Sequence, residues 1–198
     1  MARPKADPST PSTPTRIVDA AIPVFASQGY DAAKLADIAA AADIRRPSLL
    51  YHFSTKADLY SAVISRVFTH LGETVVRAQN SDGDFIQRLR ATYVSYGDFL
   101  NHHPTTSRLI VRELIASEGP GRPIFLDRVV PLLDLIETWI RSEGKGQLHE
   151  GLNIRHAIMH VAGEILLRHA AVSVAGPLWG HVDDDLGWSV AYRMFLKE

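Results

Sequence analysis

Apolar residues recur every three or four positions along almost the whole chain, and glycine or proline interrupts them at intervals of about one helix length. Ile17, Ala20, Ala21, Val24 and Phe25 fall at i, i+3, i+4, i+7 and i+8, one face of a helix. Thr13 followed by Pro14 suits a cap and first turn, and Gly29 suits a stop because glycine accepts a left-handed conformation. Pro23 inside this run removes a backbone donor and predicts a kink. Two short helices follow, over about 34–41 and 46–53. A long one opens at Thr55, with Asp58 three residues on as a capping box and Leu59, Val63, Val67 and Leu71 on its apolar face. Further helical runs extend from Phe85 to a stop at Pro104, over Leu109–Ile115, from Ile124 to Gly144, from Ile154 to Gly176-Pro177, and over Leu186–Met194. No alternating strand pattern competes. The periodicity predicts an all-α chain of about nine helices.

Residues 1–14 break the pattern: proline, serine and threonine dominate and no apolar period runs through them. Such a segment cannot bury enough surface to offset its chain entropy, so it reads as a floppy tail. Its Arg3 and Lys5 leave open an arm that touches a DNA minor groove. Elsewhere a 46% hydrophobic content excludes wholesale disorder. The chain has no cysteine, which removes disulfide scaffolds, cysteine-ligated metal centres and thiol nucleophiles. The uncharged stretch from His169 to Val182 is too short and too broken by Gly176, Pro177 and Gly180 to span a bilayer. An N-terminus without the apolar core of an export signal leads to the expectation of a cytoplasmic protein with no membrane partner.

The segment KLADIAAAADIRRPSLLYHF, residues 34–53, has the spacing of a helix-turn-helix. Ala39 lets two helices cross closely, Asp43 falls at the turn, Ile44 plugs the gap, and Leu49, Leu50 and Phe53 anchor the second helix inward. Its outward face is then Pro47, Ser48, Tyr51 and His52, with Arg45 and Arg46 at the N-terminal end, where a recognition helix meets base edges. Arginine pairs bidentately with guanine, Ser and His donate or accept at base edges, and a proline ring can touch a thymine methyl. Tyr51, His52 and Lys56, with the first backbone N–H groups of the Thr55 helix, can reach phosphate oxygens, and Lys34 joins the candidate DNA contacts. Residues 1–60 hold seven Lys/Arg and six Asp/Glu, and the whole chain has net charge −1, so the paired arginines rather than bulk charge carry the reading.

From Thr15 to Val63 the sequence resembles the N-terminal domain of the tetracycline-repressor (TetR) family of bacterial regulators. The AA…VF…GY block, the DIA of the second helix, the SLLYHF of the third and the TKADL of the fourth match in order and spacing. Four positions depart from the family pattern: Pro23, Ala33 in place of a capping Thr (leaving Asp31 as the alternative cap), Asp43 in place of the turn glycine, and Arg45 in place of Ser or Thr. The resemblance implies a three-helix DNA-binding head over residues 15–60 and a helical body over 61–198 that dimerises and binds a small molecule. It further implies a homodimer on a palindromic double-stranded operator, repressing until an apolar or amphipathic effector releases it, with no cofactor.

Within the body, Tyr93, Tyr96, Phe99, Phe125, Trp139 and Met159 are candidate pocket residues, although for any single aromatic ordinary core packing is the preferred reading. Ile158, Ala162, Gly163, Ile165, Leu186, Val190 and Met194 are candidates for a four-helix dimer interface. His156, His160 and Glu164 share one helix face, but polar pairing with a partner subunit is the reading preferred to a metal site. His102 and His103 sit at a helix end, where protonated imidazole suits the dipole. No nucleophile–base pair, phosphate loop or carboxylate pair emerges, which weighs against an enzyme that has kept the head as a relic. Near-zero net charge weighs against a non-specific DNA-packaging protein.

Overall fold

The computed structural model describes residues 12–116, 121–180 and 184–197. Its helices are α1 Thr13–Ala32, α2 Leu35–Ala41, α3 Arg46–His52, α4 Lys56–Gln79, α5 Phe85–His102, α6 Pro104–Ile115, α7 Gly121–Glu143, α8 Ile154–Ala170, α9 Val172–Trp179 and α10 Asp184–Phe195. Among the described residues there is no strand, only one isolated bridge between Leu148 and Leu196 that ties the α7–α8 loop to the end of α10. Among the described residues the count is ten rather than about nine because the run from Ile154 breaks at Ala171, and α9 carries Pro177 within it. Most of the N-terminal tail, with Arg3 and Lys5, lies outside the described residues, as does the Gly119-Pro120 stop.

Helix α1 begins one residue earlier than its sequence signals suggest. Ser12 is the cap, its Oγ facing the Thr15 N–H at 3.5 Å, and Pro14 needs only a place in the first turn, where no intrahelical donor is missed. Pro23 does not break the helix. The non-helical residue within α1 is Gly29, with φ 77° and ψ 174°, and one more turn follows it. Pro23 is exposed, so its ring has room. The capping box of α4 is formed as expected, with Thr55 Oγ1 accepting from the Asp58 N–H and Asp58 Oδ2 accepting from the Thr55 N–H. The same device opens α5 at Asp84 and Gln87.

Helix α4 runs unbroken through residues 60 and 61, so one rod belongs to both head and body. The core is correspondingly continuous. Ile17, Phe25, Ile38 and Leu49 of the first three helices join Leu59, Phe68, Phe125 and Ile165 in one buried cluster. A second cluster, built on Phe85, Ile140, Ile154 and Phe195, closes the far end of the body. Where head meets body, the Tyr60 ring packs edge-on against Phe25 at 4.8 Å and Tyr30 at 5.1 Å. Burial, and then the neighbouring Glu113, push the Tyr60 hydroxyl far above its ordinary value. At the α5–α6 corner, His103 is driven below its usual value by burial and then by His70 and His102, which favours the neutral ring over the protonated one expected from a helix terminus.

The turn between α2 and α3 is a Schellman motif. The Ile44 N–H reaches the Ala39 carbonyl at 3.0 Å and the Asp43 N–H reaches that of Ala40 at 3.1 Å. Asp43 has φ 54°, the one positive φ outside glycine among the described residues. The position calls for a residue without a Cβ penalty, and aspartate meets it at a cost. Asp43→Gly is expected to raise stability by about 0.5 kcal/mol and Asp43→Ala to lower it by about 1 kcal/mol, both read by urea denaturation.

Candidate nucleic-acid interface and body cavity

Helix α3 is short, and tertiary contacts hold it. Leu49 is fully buried against α1 and α2, while Ile44, Leu50 and Phe53 are half-buried. Arg16 of α1 donates to the Ala42 carbonyl at 2.9 Å, which satisfies an orphan acceptor at the end of α2 and pins the turn. Fixed in this way, α3 presents Arg45, Arg46, Pro47, Ser48 and Tyr51 to solvent, with Tyr51 86% exposed. His52 is half-buried, its ring edge-on to Tyr51 at 5.2 Å. Lys34 is exposed at the start of α2, which has no side-chain cap, so Asp31 does not replace the missing threonine. An exposed aromatic beside two arginines, neither guanidinium ion-paired among the described residues, suits a polyanion whose groove has edges to read.

Two expectations at this face need correction. Lys56 turns back onto the protein, its Nζ donating to the carbonyls of Asp31 at 3.0 Å and Ala33 at 3.2 Å and lying 4.6 Å from the Tyr30 ring centre. It fastens α4 to the end of α1 instead of reaching a phosphate. The start of α4 is also a poorer anion site than its sequence suggests, because the Asp58 carboxylate already occupies the capping position.

The body holds an apolar cavity of about 160 Å3 between α4, α5, α6, α7, α8 and α10, open on one side. Tyr93, Tyr96, Phe125 and Met159 line it. Phe99 and Trp139 do not. Phe99 packs against His70 and His103 at 5.3 and 5.0 Å, and the Trp139 ring meets Phe85 at a tilt of 44° with Arg88 over it. Sequence reasoning missed Phe68, Leu89, Leu132, Ile136, Trp188 and Phe195, whose helical spacing is that of any core residue. Burial raises the Tyr96 phenol well above its ordinary value, so the hydroxyl stays protonated and faces the Ala162 carbonyl at 3.4 Å.

Ile158 and Ile165 are 6% and 1% exposed and belong to the core and cavity wall, so neither has surface left for a second subunit. Ala162 and Gly163 are half-buried at the same wall, and Met194 packs on the second core cluster. The outward apolar side chains here are Leu167, Val172, Val174 and Leu178 of α8 and α9 with Leu186 and Val190 of α10. His156 and His160 touch, their ring centres 4.8 Å apart, whereas Glu164 is paired with Arg168 at 3.2 Å. Among the described residues, no group of three or more such side chains is placed to hold a metal ion. Nor is any described helix long and apolar enough to cross a membrane.

The head decides the family. Residues 17–63 match the model for bacterial regulatory proteins of the tetR family. That stretch is a DNA-binding domain of the tetR family. Over 95 residues it is 39% identical to the HTH-type transcriptional activator FasR of Mycolicibacterium smegmatis, covering 48% of this chain and 43% of that protein. Over 74 residues it is 35% identical to IcaR, the negative transcriptional regulator of the biofilm operon icaADBC in Staphylococcus aureus, covering 37% of this chain and 40% of that one. The aligned parts are thus less than half of each relative. Two solved structures share the fold over nearly the whole chain. FadR of Bacillus subtilis, solved with stearoyl-CoA, superposes with a TM-score of 0.73 at 19% identity, covering 91% of this chain and 96% of that one. KstR2 of Mycobacterium tuberculosis, a ketosteroid transcriptional regulator, superposes with a TM-score of 0.71 at 18% identity, covering 98% and 100%.

Proposed function

We propose that the chain is a homodimeric repressor that holds a palindromic DNA site until a small apolar or amphipathic molecule occupies the body cavity. The observation that carries the DNA reading is the exposed Arg45–Tyr51 face, set on a helix whose buried side is anchored by Leu49 and whose turn is pinned by Arg16. Arg45, Arg46 and Ser48 address base edges, Pro47 a thymine methyl, and Tyr51, His52 and Lys34 the flanking backbone.

Dimerisation follows from area and from symmetry. One head of this size buries too little duplex for tight specific binding, and two heads set about 34–36 Å apart read successive turns of a palindrome. The exposed apolar side chains of α8, α9 and α10, Leu186 and Val190 among them, supply a surface that a second copy can cover. Release requires that the effector prefer the arrangement in which the two heads no longer fit neighbouring grooves. The continuous core from Leu49 to Ile165 gives the cavity a mechanical route to the head. The activator FasR and the negative regulator IcaR resemble this chain about equally over their aligned parts, so the sign of regulation is read by a reporter under the bound promoter.

The test is binding of the full chain to the DNA upstream of its own gene and to random DNA of equal length, at fixed salt. Two protomers per site and a preference of about 1000-fold or more are expected. Equal affinity for both DNAs overturns the proposal.

A further inference from the structure

The cavity joins the two core clusters, and its wall runs along one face of α7 through Phe125, Val129, Leu132, Leu133, Ile136 and Ile140. That stretch is roughly 22 Å of helix at 1.5 Å per residue. Both ends are shut by buried side chains, Phe68, Ile110 and Phe125 at one and Leu89, Ile140 and Phe195 at the other. The lining residues that are also exposed are Leu114 at 48% and Met159 at 40%, so the opening lies on the flank between α6 and α8. The space is therefore long, narrow and entered from the side.

Its chemistry is equally restrictive. Among the described residues no charged side chain lines it, and its polar groups are the hydroxyls of Thr92, Tyr93 and Tyr96 and the indole N–H of Trp188. Thr92 already donates to the Arg88 carbonyl at 2.9 Å and Tyr96 to that of Ala162. A carboxylate, phosphate or ammonium taken inside would lose its hydration and find no counter-charge, a prohibitive cost.

Resting on the effector reading above, we infer that the buried part of the ligand is a single unbranched, uncharged hydrocarbon chain, and that its polar end stays at the Leu114–Met159 opening. Allowing for the side chains that close each end, and a zigzag advance of about 1.3 Å per carbon from ordinary bond lengths, the space takes about 12 to 16 carbons. The head group contributes little to affinity, so a free acid, a methyl ester and an alcohol of one chain length are close to equivalent.

The experiment is direct binding of saturated acids and their methyl esters, from 8 to 18 carbons, to the full wild-type chain, with release from DNA measured separately. Affinity is expected to rise about fourfold per added CH2 up to about 12 to 16 carbons and then level off. Acid and ester are expected to agree within about threefold. Leu89→Phe, at a closed end, is expected to shorten the preferred chain by about two carbons, and Ile140→Val, at the same end, to lengthen it by one. Met159→Lys, at the opening, is expected to shift preference towards the acid by about fivefold without moving the length optimum, which separates the place of the head from that of the tail. An affinity independent of chain length, a tenfold preference of the wild type for the charged form, or an unchanged acid-to-ester ratio in Met159→Lys overturns the inference. Chain-length-dependent binding that leaves DNA affinity unchanged sinks the effector reading instead and leaves the ligand class standing.

Discussion

Replacing Arg46 and Tyr51 together by alanine is expected to weaken binding to the upstream DNA by about a hundredfold or more at fixed salt. A bidentate arginine contact to guanine contributes about 1–3 kcal/mol of discrimination, and a symmetric dimer makes each contact twice. Arg46 alone then accounts for about 2–6 kcal/mol, or about thirtyfold to 25,000-fold, and Tyr51 adds a smaller, sequence-independent share through phosphate. The two losses differ in kind. Arg46→Ala should relax preference at one base position per half-site, whereas Tyr51→Ala should lower affinity for every sequence alike. Neither change should disturb the fold. Both side chains are exposed, and Arg46 is the first residue of α3, where alanine is an acceptable helix former. A melting temperature within about 2 °C of wild type is the required control. Unchanged DNA affinity in a variant that folds normally would mean that the α3 face is not the reading surface.

The head was legible because its local rules and its tertiary contacts agree. Ile38, Ala39 and Leu49 are spaced as a helix-turn-helix needs, and all three are buried where that spacing puts them. Asp43 was readable for the same reason, since a turn of this kind demands a left-handed residue whatever the side chain. Lys56 was misread because its partners lie 25 and 23 residues earlier in the chain, and no periodicity links an amine to the carbonyls of Asp31 and Ala33. The body shows a different limit. Helical spacing says which side chains face inward and nothing about whether they meet another side chain or a void. Tyr96 and Phe99 sit three residues apart on α5, yet one lines the cavity and the other fills a corner with His70 and His103. Ile158 and Ile165 stand beside Ala162 and Gly163 among the dimer candidates, yet small residues mark close approach without saying from which side, and both isoleucines are buried. The break at Ala171 carries no glycine or proline of its own, so the run into α9 read as continuous.

Gly29→Ala is expected to lower stability by about 2–4 kcal/mol, and with it the melting temperature by about 5–15 °C for a chain of this length. Two independent costs meet at this residue. Its φ of 77° and ψ of 174° lie in a region that essentially only glycine occupies, and forcing a side chain into it costs about 1–3 kcal/mol. A Cβ there would also stand 2.7 Å from Arg112 Nη1 and 3.3 Å from Arg112 Cδ. The guanidinium would have to leave, taking with it the 3.1 Å hydrogen bond from Nη2 to the Ser27 carbonyl that clips α6 to the end of α1. The costs separate in a double-mutant cycle. Arg112→Ala alone should cost about 1 kcal/mol, the value of one partly solvated hydrogen bond. With Arg112 removed, Gly29→Ala should cost only its backbone strain, so the pair should be less destabilising than the two single changes added together. The same clip joins a helix whose Ile110 and Leu114 line the cavity to the helix that carries Arg16 and braces the α2–α3 turn. Strict additivity in the cycle would mean that the guanidinium accommodates the new Cβ without giving up its bond to the Ser27 carbonyl.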